Sequence, residues 1–360
     1  MNHSHLRTVY ESGGPYATVY LEGRTPSADA ETQLRLRWSE LRDQLSESGA
    51  EESLLESIDA IILVDEPTEV HTDGRTIVAN SQGVLLDEHW DAALGDGDAA
   101  HYGDVPELGA YLRQESRQFD VVLVIAGQDG AAVRELSVTP DRERIENEPV
   151  HVTGDNDEDI NKPRRGAYSH NQIRRRVDEI IKDNARAVAD FIDRLITDHA
   201  PDAVVLAGEV QGRTVVKAEL SVRAEELLHE ISEGGNDDDG AEEAIDVAVR
   251  TLVTRLAGER EAENSERLAE SKAHDRAVEG HAEVAKAVER GAVATLLLDD
   301  AEAAEGEAGI IADAIQSSAE IGLSHDPMAD GIAAILRYDV ASALADGTGA
   351  RRFRALRPLV

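Results

Sequence analysis

DVVLVIAGQDGAAVRELSV, residues 120–138, decides how this chain is to be folded. The apolar run 120–126, the turn residues 127–130 (GQDG) and the second run 132–138 together predict a β-hairpin. An irregular acidic connection, 153–159 (TGDNDED), follows it. Beyond that, Ile173, Val177, Ile180, Ile181, Val188, Ile192 and Leu195 recur at helical spacing and predict an amphipathic helix of about seven turns. Pro201 lies just past its end, and 203–207 (AVVLA) returns as a strand. Hairpin, long helix and returning strand make a mixed α/β unit.

Towards the N-terminus the signals also alternate. Residues 16–21 (YATVYL) predict a strand, and Leu34, Trp38, Leu41 and Leu45 share one helical face. The run 60–64 is expected to be a buried strand, and 77–79 with 84–86, separated by 80–83 (NSQG), a hairpin. The Gly- and Asp-rich stretch 95–104 (GDGDAAHYGD) and Pro106 interrupt the pattern, which places a boundary near residue 115. Towards the C-terminus, 233–240 (EGGNDDDG) is a linker without an apolar side chain. Its aspartates lack the alternate spacing and closing glutamate of a calcium loop, so solvation explains them. The last segment is Ala- and Glu-rich; within it a helix ends at Gly291 and a strand follows over 292–298 (AVATLLL). Three α/β domains are expected, 1–115, 116–235 and 236–360, each a sheet packed with helices.

The chain carries 73 acidic against 36 basic residues, a net charge of -37, so its overall field repels nucleic acid and anionic membranes. Only five of the basic residues are lysine, a bias shared by GC-rich genomes and salt-adapted cells. Cysteine is absent, which removes disulfides, thiolate nucleophiles and Cys-ligated metals. The apolar runs are too short for a bilayer, and a soluble cytoplasmic protein is expected.

Against that background, residues 162–176 (KPRRGAYSHNQIRRR) hold six basic side chains and no acidic one. A focal positive island suits a polyanion, because each phosphate neutralised by Arg or Lys releases condensed counterions. The alternative is a solvated loop running into a charged helix face. Arg174, Arg175 and Arg176 are adjacent and fan around the helix, near an N-terminus whose dipole they oppose.

The order of these pieces resembles the archaeal and eukaryotic class-1 release factor superfamily, which includes Pelota and a bacterial and archaeal release-factor-like branch. The hairpin 121–138, the loop to Tyr168, the basic-starting helix, the strand 204–208 (VVLAG), the stretch 230–235 (EISEGG) followed by Ala244 and Ile245, and 291–298 (GAVATLLL) carry the resemblance. It implies a three-domain architecture whose middle-domain loop approaches the peptidyl-transferase centre, and a last domain of a fold shared with RNA-binding ribosomal proteins. The departures matter as much. Where release factors place Gly-Gly-Gln, this chain has Gly166, Ala167 and Tyr168, and a phenol cannot replace the paired carbonyl and amide of glutamine. The stop-codon-reading Asn-Ile-Lys-Ser is also unmatched, so termination at stop codons is not expected.

The resemblance therefore implies a ribosome-binding, non-catalytic factor of the A site, similar to hibernation factors such as Balon, acting in translation regulation and stress protection. Lys162, Arg164, Arg165, Gly166, Ala167, Tyr168, Ser169, His170, Arg174, Arg175 and Arg176 would form the rRNA contact, with Tyr168 stacking on a base for roughly 1–3 kcal/mol. The ribosome is the expected partner, a translational GTPase a possible second, and DNA and membrane are not expected. No cofactor, metal or catalytic residue is assigned. Two alternatives stand beside this. One is a rescue-type peptidyl-tRNA hydrolase using Gln172, His170 or loop backbone groups; the other is an acidic protein-binding regulator. The basic tail 351–357 (RRFRALR) is a further RNA contact or a frayed or packed terminus. Residues 208–213 (GEVQGR) read as a strand-to-helix turn before a phosphate loop, and no Walker A, dinucleotide or metalloprotease motif occurs.

Overall fold

The computed structural model describes residues 4–22, 30–63, 74–90, 97–140, 143–145, 149–154, 170–232 and 239–343. Two compact units divide the chain: Met1–Ser116 with Glu259–Val360, and Arg117–Gly258. Three sheets packed with helices run through them in sequence order, a mixed α/β architecture.

The N-terminal part of the first unit holds α1 (Arg7–Glu11), β1 (Tyr16–Leu21), α2 (Ala30–Glu47), α3 (Glu52–Ile62), β2 (Gly74–Asn80), β3 (Gly83–Trp90), β4 (Ala99–Gly103) and α4 (Gly109–Glu115). The strands form an antiparallel sheet in the order β3-β2-β1-β4. Because side chains alternate across a strand, β1 feeds two cores. Ala17, Val19 and Leu21 meet Trp38, Leu41 and Leu45 of α2. Tyr16 and Tyr20 turn the other way, beside Trp90 and Tyr111.

Two expectations are corrected here. The described part of the run 60–64 is not a strand: residues 60–62 are the last turn of α3, whose Leu54, Leu55, Ile58 and Ile62 form one buried helical face. A short apolar run looks alike in a buried strand and a buried helix; the spacing of the preceding leucines separates them. The Gly/Asp-rich stretch 95–104 does contain a strand. Its residues 99–103 pair with β1, Tyr16 opposite Gly103, at an edge where low apolarity is tolerated.

The second unit comprises β5 (Phe119–Ala126), β6 (Ala131–Val138), β7 (Glu143–Ile145), β8 (Val150–Val152), α5 (His170–His199), β9 (Ala203–Gly208), α6 (Val210–Glu219), α7 (Val222–Glu226), β10 (Leu228–Glu230) and the first half of α8 (Asp239–Ala273). Its sheet has the order β10-β9-β5-β6-β7, with β8 added to β6. β5 is apolar at successive positions because both faces are covered. Val121 and Leu123 pack with Ile245, Val249, Leu252 and Val253 of α8. Val122 and Val124 pack with Ala185, Val188, Ile192 and Ile196 of α5. Burial of each large aliphatic side chain contributes about 1.5–3 kcal/mol. α8 continues into the first unit, so the division at Gly258 falls inside a helix.

There the chain adds β11 (Ala277–Glu279), α9 (His281–Glu289), β12 (Val293–Asp299), α10 (Glu307–Gln316), β13 (Glu320–Ser324), β14 (Ile332–Leu336) and α11 (Val340–Ala343). The sheet order is β11-β14-β12-β13, with β12 and β13 parallel and joined through α10. Gly291, at φ +65, ends α9 in the left-handed conformation that the sequence predicts there. Among the described residues no helix is long and apolar enough to cross a membrane.

Candidate nucleic-acid interface

The basic island is carried by α5 and by the connection in front of it. His170, Arg174, Arg175 and Arg176 stand in the first two turns of α5, which starts at His170 and has no acidic residue in its first turn. Lys162, Arg164, Arg165, Gly166, Ala167, Tyr168 and Ser169 lie outside the described residues, as do the linker 233–238 and the tail 351–357.

Gly154 and His170 are the described residues that flank the connection 155–169. At its start, the Gly154 N–H donates to Oδ1 of Asn184 at 2.8 Å. Asn184 is a buried polar residue on the inner face of α5, and a Cβ on Gly154 would lie 3.0 Å from that same oxygen. β8 delivers Gly154 to this place by pairing with β6, Val152 opposite Ala131. At its other end the connection joins α5 at His170, about 21 Å along the helix from Asn184 by the usual rise. Gly154 thus lies against the middle of α5, whose N-terminus is His170.

The tie at Asn184 sits at the carboxyl ends of the parallel strands β5 and β9, where α/β sheets offer their sites. Asn184 Nδ2 reaches the Gln128 carbonyl at 3.5 Å, and Gln128 Nε2 reaches Glu209 at 3.3 Å. Ala126 and Gly208 are register partners, and Glu209 N–H donates to the Ala126 carbonyl at 2.9 Å. In the adjoining turn, a Cβ on Gly212 would lie 2.7 Å from the Gly127 carbonyl oxygen, and Arg213 Nε turns back to the Gly208 carbonyl at 3.1 Å. Glycine therefore serves close helix-to-strand packing at 212, and 208–213 is a strand-to-helix turn.

The cations further along α5 are engaged within the protein. Arg186 Nε donates to Glu219 at 3.0 Å, and Lys182 Nζ lies 3.4 Å from the same carboxylate. Desolvation opposes the charged form of Glu219, but the hydrogen bonds and the charges of Arg186 and Lys182 together outweigh it and hold the carboxyl below its usual range. Arg194 lies over the Phe191 ring at 5.2 Å. Sequence reasoning missed Asn184 and Gln128: a lone amide on a helical face carries no periodic signal, and only the fold shows what it holds.

Residues 120–274 match the family model of Bacterial archaeo-eukaryotic release factor family 2. Over that stretch the chain resembles the release factor and Pelota superfamily. The chain is 26% identical over 325 residues to protein Rv2629 of Mycobacterium tuberculosis (strain ATCC 25618 / H37Rv), itself uncharacterized, covering 86% of this chain and 80% of that one. Among solved structures it resembles Saccharomyces cerevisiae Dom34, a translation termination-like factor interacting with Hbs1, at 13% identity and TM-score 0.43, over 75% of this chain and 81% of that chain. It also resembles archaeal Pelota from a ribosome-bound complex with ABCE1, at 14% identity and TM-score 0.40, over 93% of each chain.

Proposed function

We propose that the chain is a ribosome-binding factor that occupies the A site of idle or stalled ribosomes without hydrolysing peptidyl-tRNA. The observation that carries this is Gly166, Ala167 and Tyr168, standing where the superfamily places Gly-Gly-Gln, on a connection flanked by arginines. The body of a release factor is retained and the side chain that positions its hydrolytic water is not. Arg164, Arg165, Arg174, Arg175 and Arg176 supply phosphate contacts, whose energy comes largely from counterion release. Tyr168 supplies a ring for stacking on a base. The family-model match over residues 120–274 and the placing of Gly154 against Asn184 of α5 support the reading. The partner is the ribosome, with rRNA near the peptidyl-transferase centre as the contact, and hibernation or stress protection as the role; a translational GTPase is a candidate for delivery. We further propose three domains divided near 115 and 235, with α8 as a shared helix.

The test is sedimentation of the protein with vacant 70S ribosomes across a salt series, with peptidyl-tRNA hydrolysis followed on stalled complexes. Salt-sensitive binding without hydrolysis is expected. Hydrolysis lost on changing Gln172 or His170 would replace this reading with a rescue hydrolase. Binding insensitive to the arginines would favour a protein-binding regulator.

A further inference from the structure

Glu261, Asp300 and His325 present three ligand-type atoms within 4.8 Å of one another in the first unit. They come from three separate elements. Glu261 lies in the second half of α8, Asp300 directly follows β12, and His325 directly follows β13. β12 and β13 are parallel neighbours, with Asp299 opposite Ser324. Asp300 and His325 are therefore the next residues past a matched register pair, at the carboxyl ends of parallel strands, where α/β sheets place ligands.

The geometry points to a divalent-cation site formed by Glu261, Asp300 and His325, with Zn²⁺ the best-matched ion. This goes beyond the ribosome reading and does not depend on it. One imidazole nitrogen with two carboxylate oxygens is a borderline donor set that suits Zn²⁺ over Ca²⁺ or Mg²⁺, which prefer oxygen throughout. Two carboxylates also balance a dication, whereas Asp300 and Glu261 have side chains only 9% and 12% exposed and little water to share their charge. His325 Nδ1 lies 2.9 Å from Asp300 Oδ2, and its Nε2 contacts Glu261 Oε2. Zinc bonds of about 2.0–2.2 Å hold ligand atoms roughly 3.3–3.6 Å apart, and the three donors here lie within 4.8 Å of one another. That ring is 60% exposed and leaves the remaining coordination positions open to water or a ligand.

The surroundings hold the donors in place, as a metal site requires. Asn264 Nδ2 donates to the Leu323 carbonyl at 3.0 Å, and Ser265 meets Ser324 at 3.2 Å, so α8 is pinned to the end of β13 next to Glu261. On the other side, Arg113 donates to the carbonyls of Asp299 at 2.7 Å and Glu302 at 3.0 Å, bracketing Asp300.

The experiment is calorimetric titration of Zn²⁺ into the chelator-treated full chain, with excess Mg²⁺ present to occupy weak sites on the acidic surface. One tight equivalent per chain is expected. His325→Ala and Glu261→Gln should weaken it by more than the roughly 10–100-fold that loss of an outer-shell partner costs, while His5→Ala leaves it unchanged. Co²⁺ absorption in the visible provides a second readout, present in the wild type and lost in His325→Ala. Unfolding midpoints show whether each variant is folded; since His325 is largely exposed, His325→Ala should fold. Absence of a tight equivalent, or the same affinity and Co²⁺ spectrum in His325→Ala, would overturn the site and leave a plain ion-paired imidazolium.

Discussion

Arg113 on α4 and Glu307 at the start of α10 form a two-pronged ion pair, Nη1 to Oε1 at 2.7 Å and Nη2 to Oε2 at 2.9 Å. Their side chains are 11% and 6% exposed, so each neutralises a charge that water does not reach. Glu307 also accepts from the Ala304 N–H at 2.9 Å. Removing one member strands the other: Arg113→Ala should destabilise the protein by about 3–5 kcal/mol, read as a lower urea midpoint at constant slope. Gly109→Ala should act through the same pair, because a Cβ there would lie 2.0 Å from Glu307 Oε1 and push the carboxylate off Arg113. Unchanged midpoints in both variants would contradict this account.

Gly208 closes β9 at φ +99, and a Cβ on it would sit 2.3 Å from the Ala126 carbonyl oxygen. Both the backbone conformation and the space exclude a side chain. Gly208→Ala should cost about 1–3 kcal/mol or more, measured by thermal or denaturant unfolding. The parallel pairing of β5 with β9 places this loss in the second unit.

Asn184 offers a graded test of the tether. Asn184→Ala removes the acceptor of the part-buried Gly154 N–H and should cost about 0.5–1.5 kcal/mol, the net worth of a typical hydrogen bond. Asn184→Asp keeps an acceptor for Gly154 and loses only the long contact to Gln128, so its effect should be smaller. If the tether also positions the connection, Asn184→Ala should weaken ribosome binding more than its stability loss explains, as measured by sedimentation well below the unfolding midpoint.

His199, at the last turn of α5, contacts Glu135. The hydrogen bond to Glu135, and then its charge, raise the imidazole pKa above the ordinary value near 6.5. A group whose pKa is raised on folding contributes stability that is complete below the unfolded value and fades as pH climbs through the folded one. Histidine NMR titration should therefore show His199 above 6.5 in the wild type, and Glu135→Gln should move it back. Identical titrations would refute the pairing.

Replacing Arg164, Arg165, Arg174, Arg175 and Arg176 together by alanine should weaken ribosome binding and flatten its salt dependence. Each lost phosphate contact should reduce the slope of log affinity against log salt by about 0.7–0.9. A variant with the wild-type slope would exclude the island from the contact.

The sequence by itself determined the elements whose pattern is local and strong. The β5–β6 hairpin, the long α5, the strand β9 and the Gly291 helix stop all follow from periodicity and turn chemistry within a few residues. The resemblance to the release factor superfamily was also legible, because the order of these pieces is a linear property; the family model matches it over residues 120–274. Tertiary structure decided what depends on partners far along the chain. It decided that residues 60–62 are helical, since the face of α3 is completed by α2, and that residues 99–103 are a strand, since their hydrogen bonds come from β1. It decided that the first half of α8 completes the core of the middle sheet, beyond the composition break at 233–240. It alone brought Asn184 to Gly154, Arg113 to Glu307, and Glu261 to Asp300 and His325. Each of those groups joins polar residues distant in sequence, and no local period announces a contact whose energy exists only after the backbone has buried it.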